Sequence, residues 1–396
     1  MRILVHDYCG HPFQAELSRE LAARGHDVVH SYCLGYTSGR GHLQAMPGET
    51  LTFDPIGTDG VVDKENLVKR ALQDVRHGFE LAGQVRRHRP DVVLAANTPV
   101  PALVVLTAAM LLRRVPWVLW HQDVYAVALK AFAEQKRSRV FTLAARLLGA
   151  AEAWCARRAA AIVVISSAFL DVHRGWGTED RAVVIPNWAP LSEIKPSPRV
   201  NEWSGEQDLD GTLTLLYSGT LGLKHNPGLL VSLAQQVIER GTPVRLVVVN
   251  EGPAVELLRD RAAAAGVPIT LLPFQPYERL SEVLGSGDVL VVLLEQEAGA
   301  FSVPSKTLSY LCAGRPIVGL MPEENLAAQL VEEAGGYVGR PDDAALPAAA
   351  DWVATLLGDA ERREELGRRS RDLAEREFSL PGCADRFEKI LGEVAR

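Results

Sequence analysis

Five stretches of the sequence place glycines, hydroxyls, lysines or paired titratable groups where a strand pattern hands over to a helix pattern. YSGTLGLKHNPG at 217–228 combines Gly219 and Gly222, which let a backbone approach a ligand closely, with Lys224, a cation for a phosphate. Thr220 lies between them, and Asn226 and Pro227 suit the start of a helix. It is not a P-loop, because no Gly-Lys-Ser or Gly-Lys-Thr closes it. SVPSKTLSYLCAGRP at 302–316 sets Ser302, Val303, Pro304, Ser305 and Lys306 at a second helix start, with Ser309 one turn on. Amides at such a start carry about half a unit of positive charge, and a lysine there opposes the dipole unless a bound anion compensates. The two stretches together read as a diphosphate cradle. Asn250 and Glu251 of NEGP and Phe274 and Gln275 of PFQP follow two further strand patterns, where main-chain groups and an aromatic ring suit a flat base. His121 and Asp123 of WHQDVYAVAL are placed for proton chemistry, and DYCGHPF adds Gly10 and His11. Each piece alone also fits a structural role, as a tight glycine turn, a plain turn or a packed histidine.

The elements that must position these loops are read from short apolar runs at 2–6, 26–32, 91–96, 117–121 and 160–166, with helical spacing between them. Runs of this kind belong to parallel strands covered on both faces. A second series begins at LTLLYSG (213–219) and continues at 243–249, 268–274, 288–294 and 315–320. Residues 189–211, polar and without a period, read as a linker. The expected organisation is α/β, with Rossmann-like parallel-sheet domains at 1–195 and 196–380 and a C-terminal helix at 381–396 that either packs locally or crosses back to the first domain. Open sheets bind ligands outside the carboxyl ends of their strands, so the expected site is a cleft lined by these loops.

The chain has 396 residues, 47% hydrophobic and 23% charged, with 33 Gly and 23 Pro, which excludes disorder, collagen and a disulfide scaffold. Cysteines at 9, 33, 155, 312 and 383 form no CxxC pair, so a reducing, cytoplasmic setting without structural zinc is expected. MRILVHDYCGHPF does not read as a secretion leader. The longest apolar stretch, 99–112, falls short of the ~20 residues of a membrane span. The net charge of −7 is divided: residues 1–195 hold 23 Lys and Arg against 19 Asp and Glu, the remainder 19 against 30. An acidic half without a basic stripe argues against nucleic acid. Residues 128–158 alternate basic and apolar side chains in a manner suited to an anionic membrane surface, or to a solvated helix packed on its core.

Taken in order, VVIPNWAP (183–190), YSGTLGLKHNP, NEGP and VPSKTLSYLCAGRP, with ISSAF (165–169) before them, resemble the family 4 glycosyltransferases, especially the branch acting in exopolysaccharide and O-antigen assembly. The resemblance covers nearly the whole chain. It implies the GT-B fold and retaining transfer from a nucleotide-diphosphate sugar to a saccharide or lipid-linked acceptor, with no metal or other cofactor. It places the base near Phe274, the diphosphate on Lys224, Gly219 and the amides of Ser302 to Ser305, and the sugar between these and His121. Two departures stand out. The family's paired glutamates fall on Phe301 and Ser309, with Glu295 or Glu297 as candidate replacements, and its arginine after the first glycine is Thr220. Asp208 and Asp210, a DxD-like pair, lie in the expected linker and read as solvated. A nucleotide-sugar epimerase and a catalytically silent nucleotide-sugar-binding partner are the alternative readings.

Overall fold

The computed structural model describes residues 1–36, 42–57, 67–127, 139–222, 226–295 and 305–396. Lys224, Glu297, Ser302, Val303 and Pro304 lie outside the described residues, as do 128–138 of the basic amphipathic stretch. The chain divides into two units, Met1–Asn187 with Leu380–Arg396, and Trp188–Ser379.

The first unit runs β1 (Arg2–Asp7), α1 (Pro12–Ala23), β2 (Asp27–Tyr32), β3 (Thr52–Phe53), α2 (Leu67–His88), β4 (Val92–Ala96), α3 (Val100–Arg113), β5 (Trp117–His121), α4 (Arg139–Arg158), β6 (Ala161–Val164), α5 (Ala168–Trp176) and β7 (Ala182–Val184). Its sheet is ordered β3-β2-β1-β4-β5-β6-β7 and every pairing is parallel. The central strands are buried on both faces, as their continuous apolar runs require; every residue of β4 and β5 is buried, while the edge strands β3 and β7 are not. Pro12 fits the first turn of α1, where its missing N–H costs nothing.

The second unit runs α6 (Glu202–Glu206), β8 (Thr214–Ser218), α7 (Gly228–Glu239), β9 (Arg245–Val249), α8 (Ala254–Ala265), β10 (Ile269–Leu272), α9 (Leu280–Gly285), β11 (Val289–Leu293), α10 (Ser305–Ala313), β12 (Ile317–Leu320), α11 (Leu326–Glu333), β13 (Tyr337–Gly339), α12 (Leu346–Leu357) and α13 (Ala360–Phe378). Its parallel sheet is ordered β10-β9-β8-β11-β12-β13. One apolar cluster, containing Leu215, Tyr217 and Leu246, lies on one face, and another, containing Leu216, Val247 and Tyr310, lies on the other. Alternate residues of β8 thus feed opposite layers. In each sheet the order reverses beside the first strand of its unit, between β1 and β4 and between β8 and β11. The loops after those strands are where a ligand is expected.

The last helix, α14 (Leu380–Val394), belongs to the first unit. Phe387 is fully buried with its ring 4.6 Å from that of Trp120, and Arg24 reaches Asp385 and Glu388 at 2.5 and 2.9 Å.

The boundary falls after Asn187, earlier than the expected 195, and the segment expected to be a linker is built into the second unit. Ile194, Trp203 and Leu209 are buried there, and Asn201 caps α6 reciprocally with Ser204. Three anchors at irregular spacing hold this stretch down, so its sequence shows no period. Asp210 accepts a hydrogen bond from Ser204 Oγ at 2.7 Å while remaining exposed. The short strands β3, β7 and β13 were not expected; at two or three residues they carry no readable period.

Candidate active site

In the second unit, the loop after β8 and the start of α10 meet at a cavity of about 570 Å³, open at the carboxyl ends of β8, β9 and β11. Gly219, Thr220, Phe274, Gln275, Ser305, Lys306 and Ser309 all line it. Gly219 is required by two things at once. Its φ of +132° is strained for any side chain, and a Cβ would stand 2.8 Å from Lys306 Cε. Tyr310, on the buried face of α10, accepts a hydrogen bond from the Ser218 amide at 2.8 Å and donates to the Ser218 carbonyl at 3.1 Å. The helix is thereby fixed to the end of β8.

Lys306 extends from the first turn of α10 across the ring of Tyr217, its Nζ 3.8 Å from the ring centroid. Nζ donates to the Tyr217 hydroxyl and lies 3.4 Å from the Thr220 carbonyl, to which Tyr217 donates in turn at 2.8 Å. Among the described residues no carboxylate pairs with it. Burial pulls its ammonium down to about 7, because a charge withdrawn from water without a counter-charge is disfavoured. Ser309 Oγ donates to the Ser305 carbonyl at 3.2 Å.

Asn250 and Glu251 do not line the cavity. Asn250 Oδ1 accepts from the Leu221 amide at 2.9 Å and Glu251 Oε1 from the Phe274 amide at 3.1 Å. These side chains brace the loops that carry the lining residues. Phe274 is 46% exposed, an apolar ring left on the surface of the cavity. Gln275 accepts from Trp203 Nε1 at 3.0 Å, so the buried tryptophan of α6 sets its orientation.

In the first unit, a second polar group gathers at the carboxyl ends of β1, β4 and β5. Asp7, fully buried, accepts from the amides of Cys9 and His11 and from Asn97 Nδ2. Burial pushes its carboxyl up, against the pull of these donors. Gly10, at φ +72°, turns the loop so that His11 stands at the start of α1. Asn97, itself left-handed at φ +49°, also donates to Gln122 Oε1 at 2.8 Å, and Gln122 donates to Asn187 at 2.8 Å.

His121 ends β5 and points inward. It is 5% exposed, with Nε2 3.1 Å from Glu152 and Nδ1 3.1 Å from His173. Glu152 also accepts from the amides of Tyr125 and Ala126, so the pair pins the loop after β5 to α4. Both imidazole nitrogens are engaged. Asp123, two residues on, is exposed.

Sequence reasoning missed Tyr217, Tyr310, Asp7, Asn97, Gln122 and Glu152. The aromatic pair reads as ordinary strand and helix core, and the amides carry no charge to draw notice. Asp7 alone gave a signal, as an acid ending an apolar strand. Among the described residues no three His, Cys, Asp or Glu side chains gather as metal ligands.

Comparison with known proteins matches residues 13–193 to the model of Glycosyltransferase Family 4 and 200–373 to that of Glycosyl transferases group 1. The chain is 25% identical over 295 residues to a probable glycosyltransferase, WbjE, of Pseudomonas aeruginosa, covering 71% of this chain and 70% of that one. Among solved structures, HepE of Anabaena in complex with UDP-glucose superposes with a TM-score of 0.65 at 16% identity, covering 99% of this chain and 100% of that one. A putative UDP-N-acetylglucosamine 2-epimerase from Listeria monocytogenes gives 0.59 at 11% identity, covering 98% and 94%. At such identities the structural likeness establishes the fold alone.

Proposed function

Because the chain belongs to the family 4 glycosyltransferases of GT-B fold, we propose that it transfers a sugar from a nucleotide-diphosphate sugar, held in the cavity of the second unit, to a saccharide or lipid-linked acceptor, with retention and without a metal. The observation that carries this reading is Lys306, a lysine with no carboxylate partner among the described residues, on the wall of a cavity that also presents the exposed Phe274 ring. As the sugar leaves with oxocarbenium character, negative charge grows on the diphosphate. Lys306 and the first-turn amides of α10, which have no intrahelical acceptors, are the groups to stabilise it. Phe274 supplies a stacking face for the base. The family resemblance also assigns Lys224, Glu297, Ser302 and Val303 to the donor, with Pro304 opening the helix without an N–H of its own, and Ser309 stands where the family's second glutamate would grip the ribose. Asp123, exposed at the end of β5, is the titratable group offered to the acceptor side, with Gly10 and His11 on the neighbouring loop. His121 serves this chemistry by holding that loop. Retention rests on the family resemblance.

A panel of nucleotide sugars screened by thermal shift tests the donor assignment. One donor should raise the melting temperature of the wild type, since a ligand at a hundred times its Kd adds about 2.7 kcal/mol. Lys306→Ala should abolish most of that shift and of turnover; an unchanged shift and turnover in the variant would refute the cradle. Epimerised donor formed without any acceptor would favour the epimerase, which shares the fold. Loss of donor cleavage in Lys306→Ala counts against a silent binding partner.

A membrane-borne acceptor is supported by the outward row of α2, where Lys69, Leu72, Arg76, Phe79 and Arg86 are all exposed, Leu72 at 66% and Phe79 at 67%. On α4, Leu143 and Leu147 are 59% and 64% exposed beside Arg146. Among the described residues no helix is long and apolar enough to cross a membrane. Cationic and apolar side chains on one face suit adsorption to anionic lipid. Co-sedimentation with phosphatidylglycerol vesicles that weakens in high salt is the expected result; equal binding to neutral vesicles would refute the attraction to anionic lipid, and binding to neither would remove the membrane from the reading.

A further inference from the structure

An amine taken out of water needs partial negative charge around it to stay protonated. At Lys306 that charge comes from one residue and the carbonyl it holds. The Tyr217 ring lies 3.8 Å below Nζ, and its hydroxyl accepts from Nζ while donating to Thr220 O at 2.8 Å. That carbonyl is 3.4 Å from Nζ. Tyr217 is 1% exposed, anchored in the apolar layer under β8, so neither ring nor hydroxyl is free to follow the lysine. The stem of Lys306 runs close over Gly219, where a Cβ would stand 2.8 Å from its Cε. A quadrupole and two neutral oxygens attract an ammonium less than a carboxylate does, and they do not neutralise it. The site therefore keeps its attraction for an anion that a carboxylate partner would have cancelled.

We propose that Tyr217 is a positioning residue for the transfer reaction: in place of a carboxylate it holds the Lys306 amine on the cavity wall, so that the amine takes up its proton together with the anionic donor. The inference rests on the reading that this cavity receives a nucleotide diphosphate. Near pH 7 the free site holds the amine only partly protonated, in keeping with the lowered position of Lys306. A diphosphate arriving beside it favours the ammonium and draws a proton from solvent to Nζ in the fraction of molecules whose amine is neutral; the donor's covalent bonds are unchanged.

Two measurements test this. In the free protein, the pH dependence of Lys306 acylation by acetic anhydride, read by peptide mass spectrometry, reports protonation without any ligand. The wild-type midpoint should lie near 7. Tyr217→Phe, which keeps the ring and loses the acceptor oxygen, should lower the midpoint by at least about half a unit, and Tyr217→Leu by more. In turnover, Tyr217→Phe should raise KM for the donor several-fold at pH 7.5 with kcat within about twofold, and the difference should fade at pH 6, where the amine is protonated in both proteins. Calorimetry with UDP, GDP, ADP and dTDP in HEPES and in Tris gives proton uptake. At pH 7.5 the nucleotide that binds should draw about 0.7 proton more into the wild type than into Lys306→Arg, as a group titrating near 7 requires.

An unchanged acylation midpoint in a folded Tyr217→Phe protein overturns the role of Tyr217 while leaving the donor site standing. Uptake equal in wild type and Lys306→Arg overturns the proton coupling. Failure of all four nucleotides to bind the wild type overturns the reading of the cavity itself, and the inference with it.

Discussion

Lowering the pH from 7 to 5 should weaken the first unit and leave the second nearly untouched. Nine of the ten histidines fall in the first unit, and four of them are buried with their imidazoles held neutral. His6 lies 3.2 Å from His77 and 3.3 Å from Ser31, and is lowered well below the usual histidine range. Burial pulls His30 and His173 down to about 3 and His77 to about 4, with Arg19, His121 and Arg70 respectively adding repulsion. The sign follows from linkage: between pH 6.5 and the folded value the unfolded chain binds a proton that the folded chain refuses, so stability is lost as pH falls through 6.5. From pH 7 to 5 each such histidine costs about 1.9 kcal/mol, so His30, His77 and His173 together cost about 5 to 6 kcal/mol. Asp7 and Asp74, whose carboxyls burial pushes up, act in the opposite sense, because the folded form holds on to a proton that the unfolded form has released. Even reduced by these two carboxyls, a loss of several kcal/mol is a large share of a domain's stability. Peptide-resolved hydrogen exchange across a urea series at the two pH values reads each unit separately. Peptides of β1, β2 and β4 should lose protection at lower urea at pH 5, while those of β8, β9 and β11 keep theirs. His30→Leu should remove about 1.9 kcal/mol of the loss. An equal loss in both units, or none in the first, would refute the reasoning.

Two further outcomes are expected at the cavity. Gly219→Ala should destabilise the second unit by about 1 to 3 kcal/mol, through strain at a positive φ and displacement of the Lys306 stem, and should weaken donor binding at least tenfold; unchanged urea midpoint and affinity would show that the loop relaxes freely. Lys306→Met should do the reverse to stability. It should raise the second unit's urea midpoint at pH 7, by about 1 to 2 kcal/mol allowing for partial exposure, while abolishing the donor's thermal shift. The gain should shrink as pH rises towards 10, where the folded wild type carries a neutral amine and its penalty disappears. A Met variant no more stable than wild type would show that the amine is solvated.

The strands were legible because burial on both faces leaves apolar runs such as RILVH and DVLVVLL that no other element explains. The loops after them were legible for the same reason, since a Gly or Lys following such a run stands at the carboxyl edge of the sheet. What the sequence hid is pairing across distance. His121 reads as a titratable group at a strand end, and only the fold shows Glu152, thirty-one positions on, turning it inward. Asn250 and Glu251 read from the sequence as contacts to a ligand, and only the fold shows them holding the amides of Leu221 and Phe274. Nothing local distinguishes an Asn that grips a loop from one that grips a nucleotide, because both offer the same amide. Tyr217 was hidden differently: its ring belongs to the core by every pattern, and only its hydroxyl belongs to the site.

The charge of the chain illustrates how far local structure departs from composition. Residues 196–396 carry 30 acids against 19 bases, which taken as a bulk field would repel a diphosphate. Most of that charge is solvated, and at physiological salt its field is screened within about 8 Å. In several exposed pairs it is also matched locally, as in Arg362 with Glu365 and Arg376 with Glu333. Lys306 is screened less, because the cavity wall excludes water on one side, and it is matched by no acid among the described residues. One unmatched cation in a low-dielectric setting outweighs a distant acidic surplus. The same isolation that makes it costly to the fold makes it available to an anion, so stability and affinity at this position should move in opposite directions for every substitution that alters its charge.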